Sequence, residues 1–239
     1  MSSSPAARSS LAGFCPPVAV SLVQGNVTQE LKFNPDFRRT TFDLYLRLVA
    51  ASRGRLVVLP ESAFPVFADE VPEGVLQQVR NTVAARDGDA LVGLFTVEPP
   101  LGPGDGLRYY NSVVSAGAAR PQLYRKRHLV PFGEFVPPMF QWFVRQLNIP
   151  LGDFTRGAVA QPTLDLKGER IAPNICYEDL FGEELARSFA NAELAPTIMV
   201  NLSNIAWFGD TIAIDQHLNI SRMRAIELGR PMLRSEERR

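Results

Sequence analysis

Short apolar, β-branched runs alternate with stretches of helical periodicity along this chain, and no internal repeat organises them. That alternation constrains the fold more than any other feature. Strands interleaved with helices build an α/β molecule around a largely buried sheet. Residues 18–23 and 56–59 read as buried strands, the second stopped by Pro60. Residues 90–97, 111–115, 122–124, Leu164–Leu166, 170–175 and 197–202 read as further strands. Asn34-Pro35 supplies a cap and a proline that open a helix, with Phe37, Leu44, Leu48 and Ala51 on its apolar face. Residues 72–86, 140–147 and 183–191 are expected as helices. So is 212–228, with Ile214, Leu218, Ala225 and Leu228 sharing a face. The Gly/Pro-rich stretch 99–106 lacks the spacing of a dinucleotide fingerprint and reads as a hairpin turn.

Length and composition narrow the function classes. A chain of 239 residues with 46% hydrophobic and 21% charged content builds a sizeable core, in one large domain or two small ones. A formal net charge of zero gives no footprint for nucleic acid. The two cysteines, Cys15 and Cys176, make no CxxC or zinc spacing, and a disulfide between them is not the default. With only His128 and His217 besides, no metal or organic cofactor is expected. Residues 1–17 read as a flexible leader rich in Ser and Ala, without the basic and apolar regions of a signal peptide. No run of about 18 apolar residues offers a membrane span.

Three stretches place a reactive side chain just after an apolar strand. They are Leu59-Pro60-Glu61-Ser62, Tyr124-Arg125-Lys126-Arg127-His128 and Asn174-Ile175-Cys176-Tyr177-Glu178. Together they offer a carboxylate, an ammonium and a thiol. A thiol near pKa ~8.5 is mostly protonated at neutral pH, so attack needs a base, and a carboxylate can take the proton. An ammonium stabilises both the thiolate and the oxyanion that follows. Each residue alone also has a plainer reading. Cys176 fits a small buried hydrophobe, Glu61 a helix cap, and Lys126 a solvated basic run. His128 reads as structural or as a donor behind the site, and Trp207 and Phe208 as pocket wall or core.

Taken together, these stretches resemble the nitrilase (carbon–nitrogen hydrolase) superfamily and, more narrowly, the catalytic domain of the apolipoprotein N-acyltransferase family. The narrower resemblance rests on Val23-Gln24-Gly25-Asn26, on the run from Leu59 through Pro65 and on Tyr109-Tyr110-Asn111-Ser112. It rests also on residues 126–137 (KRHLVPFGEFVP), Cys176-Tyr177-Glu178, Ala206-Trp207-Phe208-Gly209, Gln216-His217 and Arg222-Met223-Arg224.

The resemblance implies an α-β-β-α sandwich over residues 18–234. It implies Glu61 as general base, Lys126 as electrostatic stabiliser and Cys176 as nucleophile, with Glu134, Tyr177 and Glu178 supporting catalysis. The acyl donor would be a phospholipid and the acceptor the amine of an apolipoprotein's N-terminal diacylglyceryl-cysteine, at a membrane surface. The family resides in the bacterial inner membrane with its catalytic domain in the periplasm. Phe33, Asn111, Phe132, Trp142, Phe143, Asn204 and Trp207 are expected around the pocket. The aromatic stretch 132–154 is expected as a lipid-facing lid, with core filling as the plain alternative.

Some positions depart from the family pattern. Membrane helices are missing, and residues 235–239 read as a charged tail unlike a strand, so the sandwich is expected to be incomplete at its C-terminal side. Asn204 is followed by Ile205 where the family has an acid, and Phe33 stands where many relatives have tryptophan. A soluble amidase using the same trio, or an inactive fragment, are the rival readings.

Overall fold

The computed structural model describes residues 17–131, 134 and 154–238. The leader through residue 16, the helix expected at 140–147, and Phe132, Trp142 and Phe143 lie outside the described residues. In chain order the elements are β1 (Val20–Leu22), α1 (Gln29–Lys32), α2 (Arg38–Ala51), β2 (Leu56–Val58), α3 (Val75–Ala84), β3 (Asp89–Glu98), β4 (Arg108–Gly117), β5 (Leu123–Arg125), β6 (Leu164–Leu166), β7 (Glu169–Ile175), α4 (Gly182–Ala186), β8 (Ile198–Asn204), α5 (Ala213–Leu228) and β9 (Met232–Glu237).

Two sheets form. The first runs β1-β2-β3-β4-β5, parallel through β3 and antiparallel after it. The second runs β6-β7-β8-β9, with β7, β8 and β9 parallel. Strand side chains alternate between faces, and here both faces are covered. Val57, Ala90, Val92 and Leu94 pack towards α2 and α3 in one core. Their neighbours Leu56, Val58 and Leu91 pack with Leu164, Ile171, Ile175, Val200 and Leu202 in a second core between the sheets. Helix α5 covers the outer face of the second sheet, where His217 and Ser221 meet Arg234 of β9. The layers are therefore α-β-β-α. No helix among the described residues is long and apolar enough to cross a membrane.

The structure corrects several expectations. The charged stretch is strand from Ser235 to Glu237: Glu236 and Glu237 pair in parallel with Ser203 and Asn204 of β8. Its polar side chains are buried because each finds a partner. Ser235 Oγ donates to Val23 O over 2.7 Å, Glu236 meets Arg234 and Arg238, and Glu237 accepts from Tyr45 Oη and from the Val27 N–H at 3.2 Å.

On α2 the buried row is Thr41, Phe42, Tyr45 and Val49. Phe37 precedes the helix in a 3-10 turn and is exposed, although Asn34 does cap that turn by accepting the Asp36 N–H at 3.0 Å. On α5 the buried residues are polar, His217 and Ser221, because they face a polar seam and not an apolar one. The helix expected at 183–191 is split into α4 and a 3-10 turn at Arg187–Phe189.

Candidate active site

β2 ends at Val58, and after Pro60 the backbone turns sharply through Glu61 and Ser62, the latter at φ +49°. Gly93 of β3 lies against that turn: a Cβ there would fall 2.5 Å from Pro60 O and 2.9 Å from Glu61 Cα. Only glycine lets β3 approach so closely. The turn is held from beneath by Lys32, whose Nζ donates to the Glu61 carbonyl at 3.0 Å. Lys126 follows β5 and is anchored by its own N–H on Asn111 O at 2.8 Å. Cys176 follows β7 at φ +57° and opens a 3-10 helix, Cys176–Leu180. A left-handed cysteine costs roughly 1–3 kcal/mol and persists only where its surroundings fix it. The reactive ends of β2 and β7 and the end of β8 meet at one edge of the stacked sheets, the usual place for an α/β site.

There the side chains interlock. Lys126 Nζ lies 3.2 Å from Glu61 Oε1 and 2.9 Å from Glu134 Oε2. The Asn111 amide donates to both carboxylates at 2.8 Å. Glu61 Oε2 accepts the Asn204 N–H at 2.8 Å, and Glu134 Oε2 accepts the Val130 N–H at 2.9 Å. A buried lysine paired this way is costly to unpair, by about 3–5 kcal/mol.

The electrostatics follow from the contacts. Burial pushes the Glu61 carboxyl up, but Lys126, the Asn111 amide, the Asn204 N–H and Lys32 outweigh it and hold it below the usual range. Burial pulls the Lys126 ammonium down, yet Glu61, Cys176 and Glu134 raise it well above normal. Burial and then the Glu61 charge push the Cys176 thiol up to about 12, against the pull of Lys126 and of the Tyr177 N–H on its sulfur. The resting arrangement is thus a neutral thiol beside an ionised carboxylate and a charged lysine.

These groups line a cavity of about 380 Å³. The cavity brings together Glu61, Lys126, Cys176, Glu134, Tyr177, Asn111, Asn204, Phe33 and Trp207, all singled out in the sequence. Phe208, read as pocket wall or core, is in the wall too, together with Ser62, Phe95, Val130, Pro131 and Phe154, which sequence reasoning did not assign to the pocket. Phe33 and Trp207 face each other with ring centroids 6.1 Å apart, and Trp207 and Phe208 are 57% and 54% exposed.

Glu178 does not line the cavity. Its carboxylate accepts the Ile175, Arg127 and His128 N–H groups at 2.7, 2.7 and 3.0 Å and the Tyr124 hydroxyl at 3.0 Å. It braces the cysteine turn to the lysine loop. Tyr177 donates its hydroxyl to Leu129 O at 2.7 Å, and Lys126 Nζ lies 5.8 Å above its ring. His128 stacks on Phe181 away from the cavity lining. Lys32 and Glu237, beneath Glu61, carried no sequence signal beyond a charge set between Leu31 and Phe33 and a charge near the chain's end.

A family model described as carbon-nitrogen hydrolase matches residues 20–238. Apolipoprotein N-acyltransferases of Ralstonia nicotianae and Verminephrobacter eiseniae are each 47% identical, over 92% of this chain. That of Nitrosomonas europaea is 46% identical, over 92%. The chain spans 41% of the length of the first two relatives and 43% of the third. Among solved structures, a carbon-nitrogen hydrolase from Helicobacter pylori G27 superposes with a TM-score of 0.61 at 19% identity, over 92% of this chain and 72% of that one. The C. elegans NitFhit protein superposes with a TM-score of 0.60 at 16% identity, over 92% of this chain and 51% of that one. At such identities the two structures speak for the fold.

Proposed function

The chain belongs to the carbon–nitrogen hydrolase family, and from that premise we propose that it is the acyl-transferring catalytic part of an apolipoprotein N-acyltransferase. Its acyl donor is a phospholipid, and its acceptor is the N-terminal amine of a diacylglyceryl-cysteine. The single observation that carries the reading is Cys176 sharing one apolar-walled cavity with the Glu61–Lys126–Glu134 cluster. The names of the relatives support acyl transfer to nitrogen with an apolipoprotein as acceptor.

Glu61 takes the thiol proton as Cys176 Sγ attacks the ester carbonyl carbon of the phospholipid. The oxyanion develops beside the Lys126 ammonium and the Tyr177 N–H, both already in place. Collapse breaks the ester C–O bond, and Glu61 returns its proton to the leaving glycerol oxygen. The products are a Cys176 thioester and a lysophospholipid. The incoming amine then attacks the thioester carbon and gives a proton to Glu61. The C–S bond breaks, the amide is released and the thiol is re-formed. Glu134 keeps Lys126 charged and anchored throughout. Aminolysis must outrun hydrolysis, and Phe33, Phe95, Phe154 and Trp207 around the cavity disfavour water.

Intact-mass spectrometry after incubation with phospholipid vesicles tests this. An acyl-sized increase is expected, lost in Cys176→Ala and released by hydroxylamine. Ammonia release from simple amides, with no adduct from phospholipid, would replace the reading with an amidase.

A further inference from the structure

Cys176 meets the cavity on one side and a buried polar cluster on the other. Two side chains from different elements converge on its carbonyl oxygen. Asn201 Nδ2 of β8 donates to it at 2.8 Å, and His217 Nε2 of α5 lies 3.2 Å away. The same His217 Nε2 is 3.0 Å from Asp179 Oδ1. Both neighbours are acceptors, so Nε2 carries the proton and shares it between them.

The other ring nitrogen agrees. Arg234 Nη2 of β9 lies 3.3 Å from His217 Nδ1, and a guanidinium only donates, so Nδ1 accepts. Arg234 also donates to the His217 carbonyl and to Ser221 Oγ, each at 2.6 Å, and Ser221 Oγ donates to Asp179 Oδ2. His217 and Ser221 are 7% and 1% exposed and Asp179 is fully buried. The ring is thereby fixed in tautomer and in place.

This matters because Cys176 has a left-handed backbone, at φ +57°. Relaxing that φ, a rotation about the N–Cα bond, would swing the carbonyl and the Cβ that bears the thiol together. We propose that His217 is a positioning residue for Cys176: it pins the carbonyl on the side of α5, so that the thiol stays on the side of Glu61 and Lys126. The outer helix layer then takes part in the chemistry without touching substrate. The proposal rests on Cys176 being the nucleophile.

Alkylation of Cys176 by iodoacetamide, followed by peptide mass spectrometry with Cys15 as internal reference, reads the positioning without any lipid. His217→Ala is expected to slow Cys176 alkylation about tenfold, the size of one lost hydrogen bond. His217→Gln, whose amide reaches the same carbonyl, is expected to restore it to within about threefold. His217→Asn, polar but too short, is expected to stay slow, and this pair decides the matter if the alanine variant does not fold. Ser221→Ala softens the same cluster without touching the Cys176 carbonyl and is expected to alkylate at the parent rate. Parent-rate alkylation in His217→Asn, or equal slowing in Ser221→Ala and His217→Asn, would overturn the proposal. Fast Cys176 alkylation in a parent chain that no phospholipid acylates would instead sink the acyltransferase reading and leave the positioning role standing.

Discussion

The Asn204 N–H, at the end of β8, donates to Glu61 Oε2, just beyond the end of β2, over 2.8 Å. That bond crosses from one sheet to the other and aims the proposed base at the cavity. It is made by backbone, so it does not depend on the side chain at position 205. The Ile205 side chain is itself buried, at 2% exposure.

Glu61→Gln removes the charge and leaves one acceptor oxygen, which serves either the Asn204 N–H or the Asn111 and Lys126 donors. Acylation of Cys176 by phospholipid is expected to fall at least ~100-fold, the range for loss of a positioned base. Melting should remain cooperative, since Glu134 still pairs with Lys126. Acylation within a few-fold of the parent would remove Glu61 from the base role.

Lys126→Met takes the cation from between Glu61 and Glu134. The pH dependence carries the sign. In the parent chain the Glu61 carboxyl is held below its usual value, so its contribution to stability is present above about pH 4.3 and is lost as pH falls through the lower folded-state value. Without Lys126 less opposes the burial that raises it, and that acid-side loss should shrink. Urea midpoints between pH 3 and 6, parent against variant, measure it. Parallel curves would deny the pairing.

The layers of the fold were legible because a strand buried on both faces reads as a short continuous apolar run, as in β2. The stretches of Glu61 and Cys176 were legible because each follows such a strand, whereas β5, before Lys126, is short and half-exposed. Helix faces were less so. On α5, apolar periodicity selected Ile214 and Leu218, yet the helix buries His217 and Ser221. A polar seam gives no hydrophobic period, and its partners Asp179 and Arg234 lie far off in sequence. The same cause hid β9. Ser235, Glu236 and Glu237 read as solvated; the distant partners Val23, Tyr45 and Val27 make burial of Ser235 and Glu237 tolerable, and Arg234 and Arg238 do so for Glu236.

Lys32 is a second buried cation beneath the site. Burial pulls its ammonium down to about 8, with Glu237 and Glu61 pulling the other way. The unfolded chain therefore holds this proton more tightly between pH 8 and about 10.4. Stability should rise with pH across that window, by at most about 1.4 kcal/mol per pH unit from this group. Lys32→Met should flatten the rise while slowing Cys176 acylation, because the peptide of Glu61 loses its support. An unchanged slope between pH 8 and 10 would show that Lys32 does not titrate there.

Glu178 ties the two halves of the site together with one carboxylate. Its four donors come from the strand before Cys176 and from the segment around Lys126. Glu178→Ala strands three backbone N–H groups and a hydroxyl in a buried place, a loss of at least about 3 kcal/mol. Glu178→Gln is the sharper test. A carboxylate offers two acceptor oxygens and a primary amide one, so either the Ile175 N–H or the Arg127 and His128 N–H pair loses its partner. Each choice loosens one side of the pairing between thiol and ammonium. Iodoacetamide alkylation of Cys176 in Glu178→Gln should therefore slow about tenfold with a melting temperature only a few degrees lower. A variant that alkylates at the parent rate after losing the same stability would mean that Glu178 supports the fold and leaves the site untouched.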